Sequence, residues 1–184
     1  MLTETGTRTP AAAGEDRLAF WLRVREFAVP PTMIDTATTR RTAGDWAGAC
    51  AAARVDVDLD LRRLSYAYGR DVARRVRDDL RHFAPDLLRW HLPRIGPDGL
   101  LRPGVTIPLA RYETGAPGRR LCLVVRTPPA WADAGQRISL TVWDGSLPDG
   151  LHPHPRPSAR FRFDLHRHLW DARRAGELGE RSGA

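Results

Sequence analysis

Residues 60–83, DLRRLSYAYGRDVARRVRDDLRHF, decide half of the fold. Leu64, Tyr68, Val72, Val76 and Leu80 recur every four residues, which lays one apolar stripe along a helix. Asp60 stands where an N-cap belongs, and Asp71 with Arg75 has the favourable i, i+4 order for an ion pair. Gly69 is the weak point of this helix, because glycine gives up the most backbone freedom on becoming helical.

Upstream, Leu18, Trp21, Leu22 and Arg25 keep a helical step until Pro30-Pro31 ends it. A threonine-rich stretch from Thr32 to Arg41 predicts a weaker helix, and Asp45 is placed to cap another from Trp46 to Arg54. Pro85 opens a short helix that closes at Pro93.

Beyond Gly96 the step shortens to two. Val105, Ile107 and Leu109 alternate; so do Leu121, Leu123 and Val125, then Ile138, Leu140 and Val142, then Phe161, Phe163 and Leu165. Four such runs between Gly- and Pro-rich turns predict an antiparallel meander. Pro108 places the first run at an edge, whereas Cys122 and Val124 give the second run apolar residues on both faces. Leu165 to Leu178 reads as a closing helix with Asp164 near its start.

The expected fold is α+β: an N-terminal helical layer packed on a small antiparallel four-stranded meander, with a C-terminal closing helix. The expected organisation is a disordered arm over 1–14 and a single domain over 15–178. Within that domain, 15–93 is the helical half, 104–165 the sheet half and 165–178 the closing helix, with a tail over 179–184.

The chain has 184 residues and a formal charge of +7, and all 29 of its basic residues are arginine. A surface selected for a polyanion would use lysine as well. Arginine alone, beside abundant Ala, Gly, Pro and Asp, reads as codon bias, so nucleic acid is retained only as an alternative partner. The first residues lack an apolar segment of signal-peptide type, and no aliphatic run is long enough to span a bilayer, so a cytoplasmic protein without a membrane partner is expected. Cys50 and Cys122 sit in unlike apolar surroundings and form no metal motif.

Several constellations are candidates for chemistry. Asp56-Val57-Asp58-Leu59-Asp60 has the alternating acids of a calcium loop, but Leu61 and Ala67 stand where that loop needs Gly and Glu. It reads instead as an amphipathic entry to the long helix. His152 with His154, and His166 with His168, form two i, i+2 pairs that, with Asp164, are candidate metal ligands. Their placement on a proline-rich loop and on a helix weakens that reading, and no cofactor is expected. Arg160 and Arg162, on the outward face of the last run, make a candidate anion-binding fork. The arginines of 60–83 resemble a phosphate-tracking face, yet Asp71, Asp78 and Asp79 interrupt it, which favours a salt-bridged surface. No nucleophile elbow, Walker loop, dinucleotide fingerprint or His-Glu-x-x-His string is present.

Two loops are candidate partner contacts. Pro128 and Pro129 precede Trp131, which is either an exposed anchor for a partner or folded back onto the sheet, the commoner fate of a tryptophan. Pro153, Pro155 and Pro157 stiffen a second, longer connection from Asp144 to Ser158.

Four strings carry a resemblance: Leu87-Leu88-Arg89-Trp90-His91-Leu92-Pro93-Arg94, Arg126-Thr127-Pro128-Pro129-Ala130-Trp131, Thr141-Val142-Trp143-Asp144-Gly145 and Leu165-His166-Arg167-His168-Leu169-Trp170-Asp171. Together, over roughly residues 40–175, they resemble uncharacterised actinobacterial proteins encoded beside MoxR-type AAA+ ATPases. That resemblance brings no catalytic residues. It implies a protein partner, either the AAA+ ATPase or its client. The expected function is thus a non-enzymatic, cytoplasmic protein-interaction or regulatory module. The alternatives are a metal- or phosphate-dependent enzyme built on Arg160, Arg162, Asp164 and the late histidines, and a nucleic-acid-binding protein.

Overall fold

The computed structural model describes residues 10–115, 120–131, 136–145 and 152–181. Helix α1 (Pro10–Arg23) runs into a wide π-helical turn (Val24–Ala28) and is followed by α2 (Pro31–Thr42) and α3 (Trp46–Ala52). A short strand β1 (Val55–Val57) precedes α4 (Leu61–Tyr68), α5 (Arg70–His82) and α6 (Pro85–His91). A small hairpin, β2 (Arg94–Ile95) with β3 (Leu100–Leu101), leads to the sheet strands β4 (Thr106–Glu113), β5 (Arg120–Arg126) and β6 (Ile138–Trp143). The C-terminal segment is a chain of 3-10 turns at Phe163–Leu165, Arg167–Leu169 and Ala172–Arg174, ending in α7 (Glu177–Arg181).

Local chemistry sets these boundaries. The Asp45 carboxylate accepts from Gly48 N at 2.8 Å and caps α3. The Asp60 carboxylate accepts from Arg62 N at 2.7 Å and Arg63 N at 3.3 Å and caps α4. Gly69, at φ +91°, divides the expected single long helix into α4 and α5, a conformation that residues with a Cβ rarely adopt. The predicted arm over 1–14 falls partly on 1–9, outside the described residues, and partly on α1. The predicted tail falls on the end of α7 and on 182–184, also outside them.

The α+β class holds, with helices layered on a four-stranded sheet and a helix at the C-terminus. The strand order is β1-β6-β5-β4. Strands β4 to β6 form the expected antiparallel meander, and Pro108 lies on the edge strand β4, where the register shifts between Pro108 and Ala110. The fourth strand is a correction. Phe161, Phe163 and Leu165 do not join the sheet; β1 does, pairing parallel with β6 through Val55↔Ile138 and Val57↔Leu140, so the sheet is mixed. At three residues β1 is too short to show a period, so Asp56 and Val57 read as a helix entry. The alternation at 161–165 reflects uneven burial in a turn: Phe163 is buried and Leu165 is exposed. The closing helix is likewise shorter and later than expected, because Asp164 and Asp171 hold the preceding segment in tight turns.

The helical stripe closes on the sheet. Leu64, Val72, Val76, Leu80 and Leu88 share one buried cluster with Ile107, Leu109, Leu121, Leu123, Val125, Ile138 and Leu140. Cys122 and Val124, on the opposite face of β5, are buried too. Burial pushes the Cys50 thiol up to about 12 and the Cys122 thiol up to about 11, so both behave as small apolar residues. Among the described residues, no helix is long and apolar enough to cross a membrane.

Candidate functional site

The two proline-bearing segments meet at the start of β4. Thr127, buried after β5, donates its hydroxyl to Arg102 O at 2.7 Å and accepts from Val105 N at 2.9 Å. Its own backbone N–H donates to Val105 O, and Gly104 N donates to Pro128 O, both at 2.9 Å. The second segment docks against the same turn. His152 Nε2 lies 3.2 Å from Thr127 O, Thr106 Oγ1 donates to His154 O at 2.6 Å, and Ser158 N donates to Thr106 O at 2.7 Å. Gly104, at φ +64°, makes room for this contact: a Cβ there would stand 2.9 Å from Pro153 Cγ.

Pro128, Pro129, Pro153 and Pro155 are thereby drawn to one end of the sheet, and Trp131 follows Pro129 by two residues. Trp131 is 69% exposed, so it does not fold back onto the sheet as a tryptophan commonly would. The surroundings of His152 favour its neutral form. Burial lowers its pKa more than the Thr127 carbonyl raises it, and its Nδ1 accepts from His154 N at 3.3 Å while Nε2 faces the carbonyl. Residues 132–135 and 146–151 of the two loops lie outside the described residues.

The candidate metal ligands do not converge. His152 uses both ring nitrogens on backbone groups, and His166 and His168 stack edge to face with centroids 5.7 Å apart. Asp164 gives one oxygen to Arg162 Nε at 2.8 Å and the other to Arg111 Nε at 2.7 Å and Arg162 Nη2 at 2.8 Å. The described residues contain no group of three His, Cys, Asp or Glu side chains able to share an ion. The two arms of the expected anion fork are engaged differently. Residues 160–162 are not a strand, Arg162 is bound by Asp164, and the Arg160 guanidinium lies over the Phe161 ring at 5.4 Å.

A carboxylate–guanidinium network holds the C-terminal turns to α5 and β4. Tyr112 Oη donates to Asp79 Oδ2 at 2.6 Å, and Arg167 Nη2 binds Asp79 Oδ1. Asp171 accepts from Arg167 Nη2 at 3.2 Å, from Arg173 Nη2 at 2.9 Å and from Arg173 N at 3.0 Å. Burial alone would raise the Asp171 carboxyl, but the Arg173 and Arg167 hydrogen bonds outweigh it and hold it below the ordinary value. Asp164 behaves likewise, with burial outweighed by Arg162 and Arg111. The Arg167 guanidinium also lies over the Trp170 ring at 4.5 Å.

Arg89 and Asp171 are the least exposed charged residues among those described. At 1% exposure Arg89 donates to Ala28 O at 3.3 Å and Gln136 O at 2.9 Å, tying the π-helical turn to the end of the Trp131 loop. Burial, with help from Arg94, Arg54 and Arg137, brings its pKa down to about 10.

Sequence reasoning took Asp79 only as an interruption of the arginine face and gave Tyr112, Asp171 and Arg89 no role. Asp79 had a usable signal, since it lies three residues after Val76 and four before Phe83, on the apolar side of the helix. An acid at such a position needs a buried partner. Arg89 carried no comparable signal, because its partners are backbone carbonyls distant in sequence, whereas the arginines that bind Asp171 lie only two and four residues away.

No family model, no curated protein and no solved structure matches this chain.

Proposed function

We propose that this chain is a non-enzymatic, cytoplasmic protein-interaction module whose contact surface is the proline platform around Trp131. The observation that carries the reading is the convergence of two segments distant in sequence on Gly104 and Thr127, with an exposed Trp131 three residues after Pro128 in one of them. An exposed tryptophan next to a proline pair offers a large apolar contact area, the residue type that interface hot spots favour. The platform is fixed by backbone hydrogen bonds and proline rings, so its shape is set before a partner arrives. The first partner to test is the MoxR-type AAA+ ATPase that the sequence resemblance implies. Purified ATPase is expected to bind the wild-type chain and to bind Trp131→Ala at least about tenfold more weakly, the scale of a hot-spot truncation. Equal binding of the two chains by a titration such as biolayer interferometry overturns the platform as the contact surface.

A further inference from the structure

The geometry points to a binding site for a small molecule bearing linked phosphate groups, in the cleft between α5, the β4 edge and the Arg167 turn. This inference is independent of the Trp131 platform. The cleft has a volume of about 680 Å³, within the range of small-molecule sites. Its walls come from three separate parts of the chain: Arg77 and Arg81 from α5, Arg111 from β4, and Arg167 from the C-terminal turns.

The donors and acceptors here are unequally engaged. Arg77 and Arg81 stand one helical turn apart and have no hydrogen-bond or carboxylate partner among the described residues. Like charges at that spacing destabilise each other, and an anion between them removes the repulsion. Arg111 bonds Asp164 through Nε, and neither of its Nη nitrogens makes a hydrogen bond among the described residues. Arg167 is fixed by Asp79, Asp171 and the Trp170 ring, and its Nη1 is similarly unengaged.

The acids that interrupt the arginine face in sequence are all bound. Asp71 is paired with Arg74 and Arg75, and Asp78 with Arg173. Asp79 turns inward, with Tyr112 on one oxygen and Arg167 and Arg173 on the other. Open donors on a concave surface, with the neighbouring carboxylates capped, match a polyvalent oxyanion.

Phosphate rather than a nucleobase is the recognised group. The aromatic ring lining the cleft belongs to Tyr112, which is buried and committed to Asp79, so it offers no face for a base to stack on. Donors that converge from three elements suit a compact ligand better than an extended strand. Linked phosphates span more of the guanidiniums than a single phosphate does, so pyrophosphate is the simplest probe.

Isothermal titration of the full chain with inorganic pyrophosphate, at constant ionic strength, is expected to show saturable binding that is tighter than for orthophosphate. The double variant R77Q/R81Q is expected to weaken it by about tenfold or more, the loss of charge-assisted hydrogen bonds. The unliganded variant should melt near the wild-type temperature, because neither side chain has a partner to lose. Should the double variant fold poorly, the single variants Arg77→Gln and Arg81→Gln carry the same test. Absence of saturable binding overturns the site, as does undiminished affinity in the variants. Displacement of pyrophosphate by a single-stranded oligonucleotide with steep salt dependence also overturns it, since the face would then be a nucleic-acid groove.

Discussion

The proline platform and the C-terminal strap both fasten an irregular segment to the sheet, and they do it with different chemistry. At the platform, residues 127–128 and 152–158 are held through backbone carbonyls and N–H groups, two threonine hydroxyls and one neutral histidine. At the strap, residues 162–173 are held by Asp79, Asp164 and Asp171, each at least nine-tenths buried in its side chain and each bound by two or more arginines. Charge can fasten a segment strongly, but its buried carboxylates become liabilities when a partner is removed. Backbone hydrogen bonds are individually weaker and insensitive to salt, which suits a surface that must keep its shape in varied surroundings.

Removing one strap carboxylate should give the largest effect. Asp171→Ala leaves Arg167 and Arg173 without their shared acceptor and the Arg173 backbone N–H without its side-chain cap. A loss of about 3 kcal/mol or more is expected by urea unfolding, as for breaking a buried ion pair. A loss under about 1 kcal/mol would mean that the strap is held by Phe163 and Trp170 packing instead.

The platform's counterpart is Gly104→Ala. It forces a Cβ onto a positive φ and into Pro153, and about 1–3 kcal/mol of destabilisation is expected. Hydrogen exchange should show faster opening at 152–158 than at 162–173. Equal acceleration in both segments would merge them into one cooperative unit.

Acid should act in two ranges, with His152 of the platform and the strap carboxylates titrating apart. His91, His152 and His168 have pKa values lowered chiefly by burial. The unfolded chain therefore takes up those protons first, and stability falls as pH drops below about 6.5. The depressed Asp164 and Asp171 carboxyls contribute stability that is present above about pH 4 and lost as pH falls through their folded values. A melting series against pH should show two steps, and His152→Gln should shrink the upper one only. A single step near pH 4 would break this assignment.

The smallest stability effect belongs to Trp131→Ala. With most of the ring in water, a change within about 0.5 kcal/mol is expected by the same unfolding assay.

The periodic signals of the helical stripe and of β4 to β6 were readable, whereas the alternation at 161–165 belongs to a turn. The helix caps at Asp45 and Asp60, the pairing of Asp71 with Arg75, the edge placement of Pro108 and the double burial of Cys122 and Val124 are all as the residues implied. What escaped was short or depended on distant partners. Strand β1 is three residues long, and its place is fixed by β6 rather than by its own pattern. In sequence, Asp71, Asp78 and Asp79 read as cancelling the arginines of the helix. In the fold their partners include Tyr112, Arg167 and Arg173, all distant in sequence, and Arg77 and Arg81 have no carboxylate partner among the described residues. The platform was legible as two separate proline runs, whereas their meeting at Gly104 was not.

The parallel pairing of β1 with β6 has a consequence for how the chain can be divided and made. Asp58 N donates to Leu140 O and Ile138 N donates to Arg54 O, so the outermost strand of the sheet is supplied from among the helices. A cut between the helical and sheet halves, near residues 93–104, would leave one piece with an orphaned strand and the other with an open edge. Neither piece is expected to fold alone. During synthesis the N-terminal half must wait for β6 before its core can close, and such a long-range closure makes for slow folding.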